Sequence, residues 1–247
     1  MPPRIAGILF DLGETLLSFG TVDLPALFEE GSRLAYDRLQ ALGHRPPPFA
    51  QYHRNKLLAV RWNYLKSRLT GREFDVLKVL DYMHRGMGIQ LPSEETLELA
   101  GLWYEPLGRL AVVEKGTLPA LHALRERGLK LGLVSNTFIP AAILDRQLAQ
   151  EGLLEYLPLR VYSCQVGWRK PNRRVFQAAL DRGSLVPAET LFVGDSLPFD
   201  IRGANRMGMI SVLMDPTGRK KSWWIKPRHA IRRIEEMPRV VEQYGRE

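Results

Sequence analysis

Short runs of apolar residues recur along the chain. Each run is followed by turn residues and then by a helical pattern. Runs that are apolar at successive positions are typical of buried parallel strands. They span residues 5–10, 130–134, 190–193 and 210–214, with a weaker candidate at residues 159–162. Helical periodicity occurs between them, at about residues 118–128, 139–151, 172–182 and 199–207. This alternation predicts an α/β fold built on a doubly wound parallel sheet.

Residues 20–115 show a different pattern, because no buried-strand run occurs in them. Long amphipathic stretches such as Leu24 to Leu42 fill this region, and Gly- or Pro-containing breaks divide it into about four helices. The strand–helix alternation resumes near Gly116. We therefore predict two unequal domains. Residues 1–19 and 116–247 form an α/β core domain, and residues 20–115 form a helical domain inserted into it.

Composition and charge narrow the possible partners. The 247 residues are 45% apolar, which supports a packed core and argues against disorder. The net charge of +8 at first suggests a nucleic-acid partner. However, residues 217–247 contain 9 of the Lys and Arg residues and only 4 of the Asp and Glu residues, so more than half of the excess lies in this tail. The remainder is nearly balanced, which argues against nucleic acid.

Residues 219–226, with the sequence RKKSWWIK, combine basic and aromatic side chains. Such a segment could bind nucleic acid through phosphate contacts and stacking. The alternative, which we favour, is a solvated basic loop whose tryptophans pack on the core or on a partner subunit. The sequence leaves open whether the protein is a monomer or a homodimer.

The cysteine count and the apolar segments bear on location. Cys164 is the only cysteine, so an internal disulfide is impossible, which fits a reducing compartment. No apolar segment approaches the ~20 residues that a membrane span needs, and the N-terminus lacks the pattern of a signal peptide. We expect a cytoplasmic protein with no membrane partner. The His and Cys spacing also argues against a zinc site.

Polar residues stand at strand ends, where the reactive groups of an open α/β sheet belong. Four segments are involved: FDLGET at residues 10–15, VSNT at 134–137, GWRKPN at 167–172 and VGDSLPFD at 193–200. Taken alone, each is an ordinary turn or helix cap. Their occurrence together, in this order along the chain, points to a functional site.

The four segments resemble the four motifs of the haloacid dehalogenase superfamily, and the helical insert resembles the small helical cap of its first cap class. The resemblance runs from Ile5 to about Met214, and residues 230–241 also resemble a terminal helical region of relatives. It implies a Rossmann-like core. It also implies a Mg²⁺-dependent phosphatase that acts on a small phosphorylated metabolite through an aspartyl-phosphate intermediate.

The resemblance assigns roles to individual residues. Asp11 would be the nucleophile. Asp11, Asp195 and the carbonyl of Gly13 would bind Mg²⁺, and Asp200 would be another ligand or would orient a coordinated water. Ser135 and Asn136 would bind the phosphoryl oxygens, and Lys170 would stabilise charge in the transition state. We expect the neighbours of Lys170, Trp168 and Arg169, to be packing and solvent residues.

One position departs from the family pattern. Active phosphatases of this family usually carry a second Asp two positions after the nucleophile, where it serves as acid and base, and this chain has Gly13 there. A positioned acid/base contributes roughly 10²–10⁴-fold to the rate. Glu14, a group from the insert or the substrate itself could replace it, and Glu14 could equally cap a loop. The alternative is a weak or silent domain that binds a phosphorylated ligand or a protein partner.

The same residues bear on other reactions of the superfamily. Gly13 argues against a phosphomutase, because that reaction needs the acid/base to pass phosphate between hydroxyls. Asp195 and Asp200 argue against a haloacid dehalogenase, which has little use for metal ligands.

The insert would close over the site, hinged near residues 18–20 and 115–116, and would select the substrate. Its candidate side chains are His44, His53, Arg61, Trp62, Tyr64, Arg68, His84 and Trp103.

Overall fold

The computed structural model describes residues 4–244 and is organised around a six-stranded parallel sheet. The strands are β1 (Gly7–Phe10), β2 (Lys130–Ser135), β3 (Leu159–Tyr162), β4 (Thr190–Gly194), β5 (Ile210–Met214) and β6 (His229–Ile231). Their spatial order is β3-β2-β1-β4-β5-β6, so β1 lies between β2 and β4. The predicted α/β fold is confirmed, including the weaker strand candidate at residues 159–162.

Ten α-helices occur in residues 4–244. They are α1 (Leu24–Ala41), α2 (Phe49–Thr70), α3 (Val76–Gly86), α4 (Ser93–Gly108), α5 (Thr117–Glu126), α6 (Ala141–Gln150), α7 (Ser163–Val166), α8 (Arg173–Gly183), α9 (Arg202–Met207) and α10 (Met237–Glu242). Helices cover both faces of the sheet. Ile8 and Phe10 of β1 join the apolar cluster that includes α5, α6 and α10, whereas Leu9 joins the cluster that includes α8 and α9. Burial on both faces explains why the strands are continuous apolar runs.

Four helices, α1 to α4, follow β1, as the insert pattern predicts. Asp23 caps α1 by accepting a hydrogen bond from the N–H of Ala26, and Asp75 caps α3 in the same way from Leu77. Helix α1 packs closely on α4. A side chain at Gly31 would lie 2.3 Å from the carbonyl oxygen of Trp103, so this contact requires glycine.

The two segments that join the helices to the sheet run side by side. Ser18 and Val112 exchange two backbone hydrogen bonds, both 2.9 Å long, in an antiparallel pairing. Gly116, the residue just before α5, has a φ of 102°, a left-handed conformation that favours glycine. The pairing therefore ties the segment that leaves β1 to the segment that returns from α4.

The C-terminal part differs from the sequence prediction. Residues 230–241 are not wholly helical, because β6 occupies His229–Ile231 before the short helix α10. A three-residue edge strand is too short to show an apolar period. Trp223 and Trp224 are 92% and 94% exposed, so they do not pack on the core, and packing of these tryptophans on a partner subunit stays a prediction.

The helix predicted at about residues 199–207 also differs, because it consists of a π-helical turn, Leu197–Ile201, followed by α9. Within residues 4–244, none of the helices combines the length and the apolar character needed to cross a lipid bilayer.

Candidate active site

The polar segments named from the sequence meet at one edge of the sheet. Asp11 follows β1, Ser135 ends β2 and Asp195 follows β4, and these three strands are neighbours. The N–H of Asp11 donates to the carbonyl oxygen of Val193 (2.8 Å), which draws the ends of β1 and β4 together. Asp200 enters the same site from the π-helical turn, and Lys170 enters from the loop before α8.

Lys170 lies at the centre of this site and is only 2% exposed. Its Nζ donates to Asp11 Oδ1 (2.5 Å) and to the carbonyl oxygen of Val134 (2.9 Å), and it lies 2.7 Å from Asp200 Oδ1. Burial lowers the pKa of Lys170, but Asp11 and Asp200 more than offset this effect and leave its pKa above the ordinary value. Lys170 therefore carries its charge in the site.

Three carboxylates, those of Asp11, Asp195 and Asp200, surround a common space, with one oxygen of each within 4.8 Å of the others. Burial raises the pKa of Asp11, Lys170 lowers it, and Asp200 adds to the rise. Burial also raises the pKa of Asp195, with Lys220 acting in the opposite direction. Both pKa values are raised chiefly because burial removes water from the charged carboxylates, and the negative charge of Asp200 adds to the rise.

The donor set fits a divalent cation. Carboxylate oxygens are the ligands that Mg²⁺ prefers. Asp200 Oδ2 accepts a hydrogen bond from the N–H of Ser196 (2.9 Å). The other oxygen of Asp200, Oδ1, lies 2.7 Å from Lys170 Nζ as an ion pair and makes no further hydrogen bond among residues 4–244. A buried carboxylate oxygen in this condition is suited to coordinate a cation.

Lys220, which the sequence did not single out for this site, adjoins the carboxylates. Its Nζ donates to the side chain (3.1 Å) and the carbonyl oxygen (2.8 Å) of Asp195. Lys220 therefore holds Asp195 through one of its carboxylate oxygens.

Gly13 and Glu14 lie in the first turn after β1. A Cβ added at Gly13 would contact only Phe19, at 3.9 Å, so the position has room for a side chain. Glu14 has a φ of 56°, and its exposed carboxylate accepts a hydrogen bond from the N–H of Phe19 (3.2 Å). The sequence left two roles for Glu14, a replacement acid/base and a loop cap. The hydrogen bond from Phe19 is the contact expected of a loop cap.

Asn136 is engaged with the loop that carries Lys170. Its Oδ1 accepts a hydrogen bond from the N–H of Lys170 (2.6 Å), and its Nδ2 donates to the carbonyl oxygen of Lys170 (3.2 Å). This pair of bonds fixes the backbone from which the lysine side chain projects. Ser135 is buried at the end of β2. The predicted contact of both residues with a phosphoryl group stays a prediction.

Arg169 is buried rather than solvated, contrary to the sequence-based expectation. Its Nη1 donates to Ser67 Oγ (3.0 Å) and lies 3.9 Å from Glu73 Oε2. Glu73, whose side chain is 1% exposed, accepts hydrogen bonds from the hydroxyls of Ser67 (2.9 Å) and Ser163 (2.8 Å). This network joins the helical insert to the sheet domain directly beside Lys170. No local pattern indicated it, because its members are far apart in sequence.

An aromatic cluster also joins the insert to the site. Phe138, three residues after Ser135, lies with its ring centroid 4.9 Å from that of Phe74 and 6.1 Å from that of Trp103. Tyr64 on α2 lies 6.3 Å from the same ring. Of the eight side chains considered in the insert, Tyr64 and Trp103 thus contact the loop after β2. His84 instead is buried against Tyr52, inside the insert.

Comparison with known proteins identifies the family to which this chain belongs. A family model described as haloacid dehalogenase-like hydrolase matches residues 5–208. A ribulose-1,5-bisphosphate 5-phosphatase from Halopiger xanaduensis is 28% identical over 214 residues, which are 85% of this chain and 84% of that protein. A glyceraldehyde 3-phosphate phosphatase from Methanopyrus kandleri is 40% identical, but over only 38% of this chain and 40% of that protein.

Solved structures show the same fold. A phosphatase from Thermococcus onnurineus superimposes with a TM-score of 0.60 and 26% identity, covering 96% of this chain and 98% of that one. A 2-haloacid dehalogenase from Pseudomonas syringae gives a TM-score of 0.68 with 22% identity, covering 98% of this chain and 100% of that one. The second likeness is one of fold alone.

Proposed function

Because this chain belongs to the haloacid dehalogenase-like hydrolase family, we propose that it is a Mg²⁺-dependent phosphomonoesterase that works through an aspartyl-phosphate on Asp11. One observation carries the proposal: buried Lys170 lies between Asp11 and Asp200, and Asp195 completes a carboxylate set suited to a divalent cation. A dehalogenase has little use for those additional carboxylates. The relatives named as phosphatases support the same reaction class.

In the proposed reaction, Asp11 attacks the phosphorus of the substrate. A bond forms between its carboxylate oxygen and phosphorus as the bond from phosphorus to the leaving alkoxide breaks. Lys170 holds Asp11 in position and offsets negative charge, and Ser135 binds a phosphoryl oxygen. Mg²⁺ would be held by Asp11, Asp195, Asp200 and the Gly13 carbonyl. When bound, it would reduce the repulsion between the Asp11 carboxylate and the substrate phosphate. Water then attacks the phosphorus and the bond between phosphorus and the Asp11 oxygen breaks, which releases phosphate and restores Asp11. The proton that the water loses balances the proton that the alkoxide takes up from solvent.

We further propose that residues 20–115 act as a cap domain over a core domain of residues 1–19 and 116–247, and that the substrate is a small phosphorylated metabolite. The contacts of Tyr64 and Trp103 with Phe138 support the cap, because they bring the insert to the loop that follows Ser135. A cytoplasmic location stays a prediction, and the choice between monomer and homodimer stays open.

The test is hydrolysis of p-nitrophenyl phosphate with and without Mg²⁺. Wild type should be active only with the metal, and Asp11→Asn should lose activity while Asp37→Asn, at an exposed position, should not. Acid quenching followed by mass spectrometry should find a phosphoryl group on Asp11. Equal rates for wild type and Asp11→Asn would overturn the proposal.

A second function is favoured by Gly13, which removes the usual acid/base. In this alternative the domain binds a phosphorylated ligand or a protein partner without turnover. Absence of activity on a broad panel of phosphate esters, together with activity in Gly13→Asp, would support it over the phosphatase.

A further inference from the structure

Helix α2 lies across the loops that follow two strands of the site. The Tyr64 ring is 6.3 Å from that of Phe138, in the loop after β2. One turn further along α2, the guanidinium carbon of Arg68 lies 5.1 Å from the ring centroid of Phe199. Phe199 directly precedes Asp200. Arg68 is therefore placed beside the edge of the sheet at which the carboxylates and Lys170 converge.

The charge on Arg68 is without an ion-pair partner in the part of the chain that the structure describes. Within residues 4–244, no carboxylate lies within ion-pair distance of its guanidinium, and Nη1 instead lies 3.5 Å from the hydroxyl of Tyr64. The whole of α2 contains no Asp or Glu. By contrast, Arg169 has Glu73, Lys170 has Asp11 and Asp200, and Lys220 has Asp195. Unlike these three cations, Arg68 is exposed, and its guanidinium is available to an external anion.

We propose that Arg68 binds a second anionic group on the substrate. The inference rests on the proposed phosphatase function and narrows its substrate class to phosphate monoesters that also carry a carboxylate or another phosphate. The planar guanidinium can donate two parallel hydrogen bonds to either group, and the arginine stays charged at every working pH. The transferred phosphoryl group would lie at Asp11 and Lys170, with the second anion at the α2 side of the site.

The experiment compares substrates that differ in the second charge. Glycerol 3-phosphate and 3-phosphoglycerate share a three-carbon phosphate monoester, and only the latter has a carboxylate. Fructose 1,6-bisphosphate provides the arm with a second phosphate, and p-nitrophenyl phosphate reports the basal reaction. The variants are Arg68→Met, Arg68→Lys and, as a matched control, Lys66→Met, which removes an exposed cation from another side of the same helix.

Wild type should prefer at least one doubly anionic substrate over glycerol 3-phosphate. Arg68→Met should lower kcat/KM for the preferred substrate about 10- to 100-fold, the size expected for loss of a charge-assisted hydrogen bond. Activity on p-nitrophenyl phosphate should not change. Arg68→Lys should recover part of the loss, and Lys66→Met should behave as wild type. An equal fall on all substrates would show a merely structural role and overturn the inference.

Equilibrium binding separates this inference from the proposed function. Calorimetric titration of the same compounds requires no turnover, and wild type should bind 3-phosphoglycerate or fructose 1,6-bisphosphate more tightly than glycerol 3-phosphate, with the difference lost in Arg68→Met. Absence of hydrolysis would refute the phosphatase while this binding difference upheld the role of Arg68. Equal binding by wild type and Arg68→Met would overturn the role of Arg68 even if hydrolysis is observed.

Discussion

Lys170 Nζ lies 2.5 Å from Asp11 Oδ1, although the two residues are 159 positions apart in the sequence. The backbone of Lys170 is held by Asn136, so three separate loops determine the position of one ammonium group. This arrangement gives the proposed nucleophile a fixed orientation. It also places a positive charge where the transferred phosphoryl group would bind, and a side chain held in this way needs no rearrangement during the reaction.

Lys170→Met is therefore expected to lower kcat by about 10²–10³-fold, as removal of a preorganised electrostatic contact does elsewhere. The measurement is steady-state hydrolysis of p-nitrophenyl phosphate at saturating Mg²⁺. Lys221→Met, at an exposed lysine, is the control and should retain wild-type activity. A wild-type kcat in Lys170→Met would remove Lys170 from the mechanism.

Gly13→Asp is expected to increase kcat, by up to about 10²–10⁴-fold if the new carboxylate is well placed as acid and base. The position has space for it, because a Cβ there contacts only Phe19 at 3.9 Å. Gly13→Asn, which has nearly the same shape without a carboxylate, should give no increase. If the two variants have the same rate, the absence of an acid/base at this position does not limit turnover.

Lys56→Met is expected to stabilise the protein near neutral pH. Lys56 on α2 is 1% exposed, its Nζ has no hydrogen-bond partner among residues 4–244, and burial lowers its pKa from 10.5 to about 7. Below pH 7 the folded state must bury a charged amine. Replacing it should therefore raise the free energy of unfolding by about 1–3 kcal/mol.

The way in which the free energy of unfolding changes with pH provides a control for the Lys56→Met prediction. Between about pH 7 and 10.5 the unfolded state holds more protons than the folded state, so wild type gains stability as pH rises. The advantage of Lys56→Met, measured by urea unfolding, should thus shrink over this range. Lys66→Met, on the same helix but exposed, should have little effect at any of these pH values. A constant advantage would contradict the burial argument.

Glu73→Ala is expected to destabilise the protein by about 3–5 kcal/mol, because it leaves the buried Arg169 without a counter-charge. Chemical denaturation measures this change. Asp81→Ala breaks an exposed pair with Arg85 and should cost less than about 0.5 kcal/mol. Adding Arg169→Met to Glu73→Ala should restore part of the loss. If it does not, the two charges are not coupled.

Much of the fold was accessible from local pattern. Apolar runs identified β1 to β5, since strands buried on both faces must be apolar at successive positions, and the absence of such runs identified the helical insert. The edge strand β6 was missed because three residues, His229–Ile231, are too few to show a period.

The residues of the candidate site also fall into two groups, those that the sequence indicated and those that only the structure revealed. Parallel strands bring their carboxyl ends to one edge, so the polar segments that follow the strands were expected to meet. The resemblance to the family's four motifs then singled out Asp11, Ser135, Lys170, Asp195 and Asp200 within those segments. Lys220, Glu73 and the buried state of Arg169 could not be named from the sequence. Each depends on a contact between distant segments, as between Ser163 and Glu73, which are 90 positions apart.

The sequence by itself thus determined the α/β architecture and the helical insert, because these follow from the periodicity of apolar residues. The chemistry expected at the strand ends came from the resemblance of four short motifs to those of a known family. The tertiary structure decided which cations are neutralised and which are not. Arg68 and Arg169 are both arginines near the site, yet packing buries Arg169 against Glu73 and leaves Arg68 exposed beside Phe199. The partners of a charge are set by how separate elements pack, and no local pattern of residues specifies that packing.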